Sequence, residues 1–250
     1  SLTKITEIKD YLLKNAKVGD IGIFGAYEQD NNTSNGKEAV EWLVLDVQGD
    51  KVLLISRYAL DCKPYNTSLT EVTWEKCTLR SWLNGYGSSS NACGTNYSSN
   101  NFIGKAFNSS EQSAIIKTTI ENANNHNYGT PGGNNTTDKI FLLSIAEVTN
   151  PKYGFSSSMK EVDVARLAVN TAYLHMKNER MYEEGKSDLW WLRSPGGLSD
   201  DAACVDENGQ VSDEGGNFVD SAHKAVRPAL HLKLSSTSVW SKAGTVTSDG

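Results

Sequence analysis

The chain has 250 residues, with 24 basic and 30 acidic side chains and a net charge of -6; with no basic stripe anywhere, it lacks the clustered Lys and Arg that nucleic-acid phosphates require. Six Trp, ten Tyr and six Phe, within a hydrophobic share of 38%, exclude a disordered chain and supply one sizeable core. The longest apolar stretches, around Trp42–Val47 and Ile140–Leu143, fall far short of the roughly 20 residues that cross a bilayer, so no membrane insertion is expected.

In chain order, Ile5, Ile8, Tyr11 and Leu12 mark a helix over residues 3–14. Asp20 to Phe24 opens a strand with Ile21 and Ile23 on one face, and the polar stretch Asp30 to Gly36 is a turn. Trp42–Val47 and Val52–Ser56, separated by Gln48-Gly49-Asp50, predict a hairpin. A short helix over Thr78–Asn84 presents Leu79, Trp82 and Leu83 on one face and stops at Gly85. Ser109 and Gln112 read as a capping box ahead of Ala114 to Ile116. Ile140–Ser144 is a buried strand, and Ala165, Ala168, Val169, Ala172, Tyr173 and Met176 predict one longer helix. Then come a strand at Trp190–Arg193, a turn at Pro195-Gly196-Gly197, a hairpin around Asn208-Gly209 and a last strand over Val226–Leu234, with Val239 and Trp240 docking as an edge strand.

Residues 86–101 and 122–137 are low in complexity and rich in Asn, Ser, Thr and Gly. Core signals flank both closely, so they are long polar loops of one domain rather than linkers. The organisation is an N-terminal helix (1–16), a domain (17–234) and a tail (235–250) of an α+β chain. No secretory signal opens the sequence; a secreted protein would begin here beyond its cleavage point.

Four cysteines, Cys62, Cys77, Cys93 and Cys204, form no C-x-x-C pair and no zinc-like cluster with histidine, and unpaired thiols are the favoured reading. Asp30, Asn32 and Ser34 alternate as calcium ligands would, but the glycine an EF-hand needs sixth stands seventh, at Gly36, so a plain hairpin loop is preferred. No metal site, cofactor or catalytic motif is read: there is no H-E-x-x-H and no G-x-S-x-G, and the glycine-rich turns lack a phosphate-loop Lys. Trp190 and Trp191 point to opposite faces of a strand, so one indole could stack on a sugar, although two core residues is the plainer assignment. Residues 194–223 contain Asp200, Asp201, Asp206, Glu207, Asp213, Glu214 and Asp220 with no Lys or Arg; without these seven, 23 acidic residues balance 24 basic ones. Such a run is a solvated face, a cation site or a surface for a basic partner.

Several motifs resemble an uncharacterised bacterial family known only as a domain of unknown function. They include Glu41-Trp42-Leu43-Val44-Leu45, Leu79-Arg80 with Trp82-Leu83-Asn84, Asp138 to Ser144, Trp190-Trp191-Leu192-Arg193-Ser194-Pro195-Gly196 and Val226-Arg227-Pro228-Ala229-Leu230. The closing arrangement is similar to C-type-lectin-like domains of the formylglycine-generating-enzyme group, among them the retroelement-diversified variable proteins. The resemblance implies a single C-type-lectin-like domain with mixed antiparallel sheets, flanking helices and a ligand face just before the final core strand, here Leu198 to His223. It lacks the late cysteine pair that the group's oxidases use, since only Cys204 lies in the final third.

The expectation is a binding module without catalysis, extracellular or on the cell surface, that presents this acidic segment to a protein or glycan ligand. Its candidate ligand-binding residues are Trp190, Asp200, Asp201, Asp206, Asn208, Gln210, Asp213, Asn217, Phe218 and His223. The alternatives are a hydrolase with a scattered carboxylate site, or a structural spacer of a larger surface protein.

Overall fold

The computed structural model describes residues 15–178, 185–236 and 240–245. The helix predicted over 3–14, and Val239, lie outside these residues. Strands β1 (Asp20–Tyr27) and β2 (Glu38–Gln48) form a hairpin over the 30–36 loop, and β3 (Lys51–Ser56) returns through the Gly49-Asp50 turn. That turn needs the left-handed backbone glycine tolerates, and Gly49 supplies it at φ 60. Val40, Trp42 and Val44 alternate inward along β2 until a register shift between Val44 and Asp46. There Leu45 is an extra residue on the bulged strand, and both Val44 and Leu45 become buried.

Next come β4 (Asp61–Cys62), α1 (Thr78–Asn84), α2 (Phe102–Ala106) and α3 (Ser109–Ala114). Short strands β5 (Ile115–Ile116), β6 (Thr118–Ile120), β7 (Thr136–Asp138) and β8 (Ile140–Phe141) lead to α4 (Ile145–Val148) and α5 (Ala172–Lys177). The chain closes with β9 (Trp190–Pro195), β10 (Ala202–Val205), β11 (Val211–Ser212), β12 (Ala225–Val226), β13 (Ala229–Lys233) and β14 (Trp240–Thr245).

The architecture is sheet-rich with few helices. One sheet runs β14-β1-β2-β3-β13-β5, with β8 also pairing β13, and its ladders are antiparallel. A second runs β11-β10-β9-β12-β4, where β12 lies parallel to β9. Val52 to Ser56 of β3 are buried without alternation, because β3 is central and covered on both faces. Burying a large aromatic side chain contributes on the order of 2–3 kcal/mol if its polar atom finds a partner. The indoles comply. Trp42 donates to the Phe24 carbonyl at 2.7 Å, Trp190 to that of Arg166 at 3.0 Å, and Trp191 to that of Lys63 at 2.9 Å.

Three elements differ from their sequence reading. The capping box sits one residue earlier, with Asn108 and Glu111 as the reciprocal pair, while Gln112 donates to the Phe107 carbonyl at 2.9 Å. The helix predicted from Ala165 to Met176 is broken: a 3-10 turn at Val164–Arg166 is followed by extended residues, Val169 bridging Ser187 and Asn170 bridging Ala59, before α5 begins behind its Thr171 cap. Tertiary pairing outweighs helical periodicity here, since Arg166 is fully buried and its guanidinium is satisfied only in the turn. The single strand predicted over Val226–Leu234 is two. Its chain crosses from one sheet to the other at Arg227-Pro228, because Pro228 has no N–H to donate to a continuing ladder. The hairpin around Asn208-Gly209 forms as β10–β11, and Trp240 opens an edge strand paired with β1.

Candidate functional site

The ten predicted ligand-binding residues do not share one face. Trp190 is fully buried, with its ring 5.1 Å from the Arg227 guanidinium, so it offers no surface to a sugar. Asp201, Asp213 and Asn217 are also buried. Asp201 accepts from Gly216 N at 3.1 Å, Asp213 from Asn127 Nδ2 at 2.7 Å, and Asn217 donates to Ser212 Oγ at 2.9 Å. These side chains hold turns together. Asp206 does likewise, accepting from the backbone of Asn208 at 2.9 Å and Gln210 at 2.8 Å at the β10–β11 tip. Asp200 is half-buried, and Asn208, Phe218 and His223 are exposed.

A groove of about 920 Å³ opens on the first sheet's β13 side. One wall is β6 with the chain that follows it, from Thr118 to Asn127; the other is α4 with Ser157 and Met159. Arg193 and Ser194 of β9 line its floor together with His231 of β13, and Asp213 is the acidic segment's contribution. Ile120, Ile145, Ala146 and Met159 supply apolar surface between polar groups, the mixture that ligand sites use.

Its polar groups are held in place by buried bonds. Arg193, 6% exposed, donates to the carbonyls of Leu142 at 2.8 Å and Glu121 at 3.1 Å and pairs with Glu147. Glu147 closes a capping box with Ser144 at the start of α4, so one carboxylate fixes both the helix and the guanidinium. His231 meets Thr118 Oγ1 at 3.1 Å. Burial, with Lys51 adding repulsion, pushes its imidazole down to about 4, which keeps it neutral. The loop wall is moored by Asn125, whose Nδ2 lies 3.0 Å from the Pro195 carbonyl and 3.1 Å from those of Gly196 and Asp213. Thr130 Oγ1 adds a bond to the Gly197 carbonyl at 2.9 Å. The low-complexity segment 122–137 is thereby tied to the turn after β9 and to Asp213, and the two form one rim.

A second cleft, of about 580 Å³, lies within the acidic segment and is lined by Gly216, Phe218, Asp220, Ser221, His223 and Lys224, among others. Lys224 is 5% exposed, and its Nζ lies 4.7 Å from the centre of the Trp191 ring. Burial holds its ammonium below the ordinary lysine value, although Cys204 and Asp201 pull the other way.

Of the thiols, Cys62, Cys77 and Cys204 are buried and all four are unpaired. Burial pushes Cys77 and Cys204 up to about 12, so they stay protonated and inert. In the 30–36 loop, Asp30 accepts from Asn32 N at 2.8 Å and from Asn35 Nδ2 at 2.7 Å, as a plain hairpin loop would. Carboxylate oxygens of Glu28, Asp30 and Glu38 lie within 4.8 Å of one another beside it, and Glu41 pairs with Arg57 at 2.6 Å.

Sequence reasoning missed Glu147, Asn125, His231 and Lys224. Ser144-x-x-Glu147 carried a capping-box signal. Asn125 carried none, being one Asn among many.

A family model described as a domain of unknown function (DUF6273) matches residues 49–234. No curated protein and no solved structure matches the chain.

Proposed function

The chain belongs to the DUF6273 family of unknown function, and from its geometry we propose that it is a ligand-binding module whose binding face is the groove between β6 and α4. One observation carries this reading. The groove's polar lining is pre-oriented by buried bonds, through Arg193–Glu147 on its floor and Asn125 on its rim, so a ligand meets donors and acceptors already ordered. Alternating apolar and polar lining suits a glycan or the loop of a protein. The acidic segment contributes its Asp213 rim and supports the opposing loop rather than forming the face alone.

We further infer a C-type-lectin-like arrangement, with the chain working outside the cell or on its surface. The position of residues 198–223, which supply β10 and β11 to the second sheet and lead through its β12 into β13 of the first, supports that likeness. Of the seven carboxylates a hydrolase could draw from this segment, Asp201, Asp206 and Asp213 are engaged in holding turns.

Ala146 is exposed on α4 and lines the groove, so Ala146→Arg fills the site without disturbing the core. On a combined glycan and surface-protein array, wild-type capture should fall at least about tenfold in this variant at unchanged Tm. Equal capture by both proteins, or none by wild type, rejects the groove as the binding face.

A further inference from the structure

A buried lysine ordinarily meets a carboxylate or several carbonyls, because its ammonium loses hydration on burial. Other cations among the described residues have such partners: Arg80, Arg166, Lys177 and Arg193 pair with carboxylates, and the buried Arg227 donates to the carbonyls of Ser56 and Arg166. Lys224 does not. Although the side chain is 95% removed from solvent, its Nζ makes no hydrogen bond or ion pair with any described residue, and its close polar contact is the face of Trp191. Asp201 is near enough to be felt but not to pair, and its Oδ2 is engaged by Gly216 N at 3.1 Å. The ammonium is not among the polar atoms sealed from solvent, and Lys224 lines the cleft.

We propose that this cleft is a binding site for the carboxylate of a small acidic sugar, a uronic acid, with Lys224 as its charge partner. Lys224, the one Lys or Arg among the described lining residues, matches a monoanion. Asp220 on the cleft wall and Asp201 behind it would repel a doubly charged phosphate more strongly. Asp220 and Ser221 offer acceptors for ring hydroxyls, and Phe218, 47% exposed, gives an apolar surface for the sugar's C–H face. Two contacts hold this wall for the ligand: Phe218 bridges Asp201, and Ser221 Oγ lies 3.2 Å from His223 Nδ1. The proposal stands apart from the groove reading, because the cleft shares no lining residue with the groove.

Glucuronate titrated into the full chain by calorimetry is the test, with glucose, alanine and inorganic phosphate as comparison ligands. Glucuronate should bind at least about tenfold more tightly than each. Lys224→Met should abolish this binding while keeping or raising Tm, since it removes an unpaired buried charge, and Phe218→Ala should weaken it several-fold at unchanged Tm. No glucuronate binding, or binding that Lys224→Met leaves intact, overturns the site. Tighter binding of alanine or phosphate overturns the sugar assignment. Should Lys224→Met fail to fold, Lys224→Gln at the same position gives the same reading. Failure here leaves the array result with Ala146→Arg untouched, and the reverse holds.

Discussion

His231 shows how one residue ties the groove to the sheet beneath it. It belongs to β13, faces Thr118 across the groove floor, and packs 5.5 Å from the Phe141 ring. Its imidazole is held down at about 4 against an ordinary 6.5, so the folded state resists a proton that the unfolded chain accepts. The stability from keeping it neutral is complete above pH 6.5 and drains away as pH falls towards 4, amounting to up to roughly 3 kcal/mol. Melting curves over that window should steepen for the wild type and flatten for His231→Gln; parallel curves would show that this histidine does not govern acid stability. Nothing in the sequence announced this behaviour. The alternation Leu230-His231-Leu232 reads as a half-exposed strand position, and the ring's neighbours, Thr118 and Phe141, reach it only in the folded chain.

The polar loop over residues 122–137 behaves as an element although it contains little regular structure. Asn125 reaches the carbonyls of Pro195, Gly196 and Asp213, so Asn125→Ala should cost about 2 kcal/mol and open residues 122–135 to protease. Asn125→Asp should do more damage, because a carboxylate would face those same carbonyl oxygens. Limited proteolysis read by mass spectrometry orders the three proteins; equal cleavage would mean that the mooring lies elsewhere. Elements whose signal is local were legible in the sequence: the β2–β3 hairpin, α1 with its Gly85 stop, and the Asn208-Gly209 hairpin. The broken helix was not, because the apolar positions from Ala165 to Met176 keep a helical period while Arg166 and Asn170 are claimed by distant backbone. Arg166 donates to Val148 and Gly209, and Asn170 N to Lys186. A buried arginine looks like any surface arginine until its acceptors arrive. For the same reason the acidic run was visible as a composition, whereas the inward turn of Asp201 and Asp213 was not.

At the scale of the molecule, the family match from 49 to 234 leaves out β1, β2 and β14, yet β2 supplies Val40, Trp42, Val44 and Leu45 to the core. A protein cut to residues 49–234 would expose the edge of β3 and the apolar face that β2 covers. It should run as aggregate on size exclusion, while residues 15–250 remain monodisperse; a stable monomeric fragment would refute the dependence of the core on that hairpin. Sheet membership was the least legible property. Val226-Arg227-Pro228-Ala229-Leu230 reads as one apolar run broken by a proline, and the switch between sheets at that proline depends on Arg227, whose Nε donates to the Ser56 carbonyl at 2.8 Å and whose ring-facing charge covers Trp190.

The pairing of Asp20 with Thr245 brings two positions far apart in the sequence side by side at one end of the β1–β14 ladder. Opposed forces applied at these two points would load the β1–β14 bonds one after another, as a zipper is loaded, and not all at once in shear. Strain would thus peel away the outermost strand before reaching the elements that line either cavity, so the groove and the cleft would outlast the first mechanical failure.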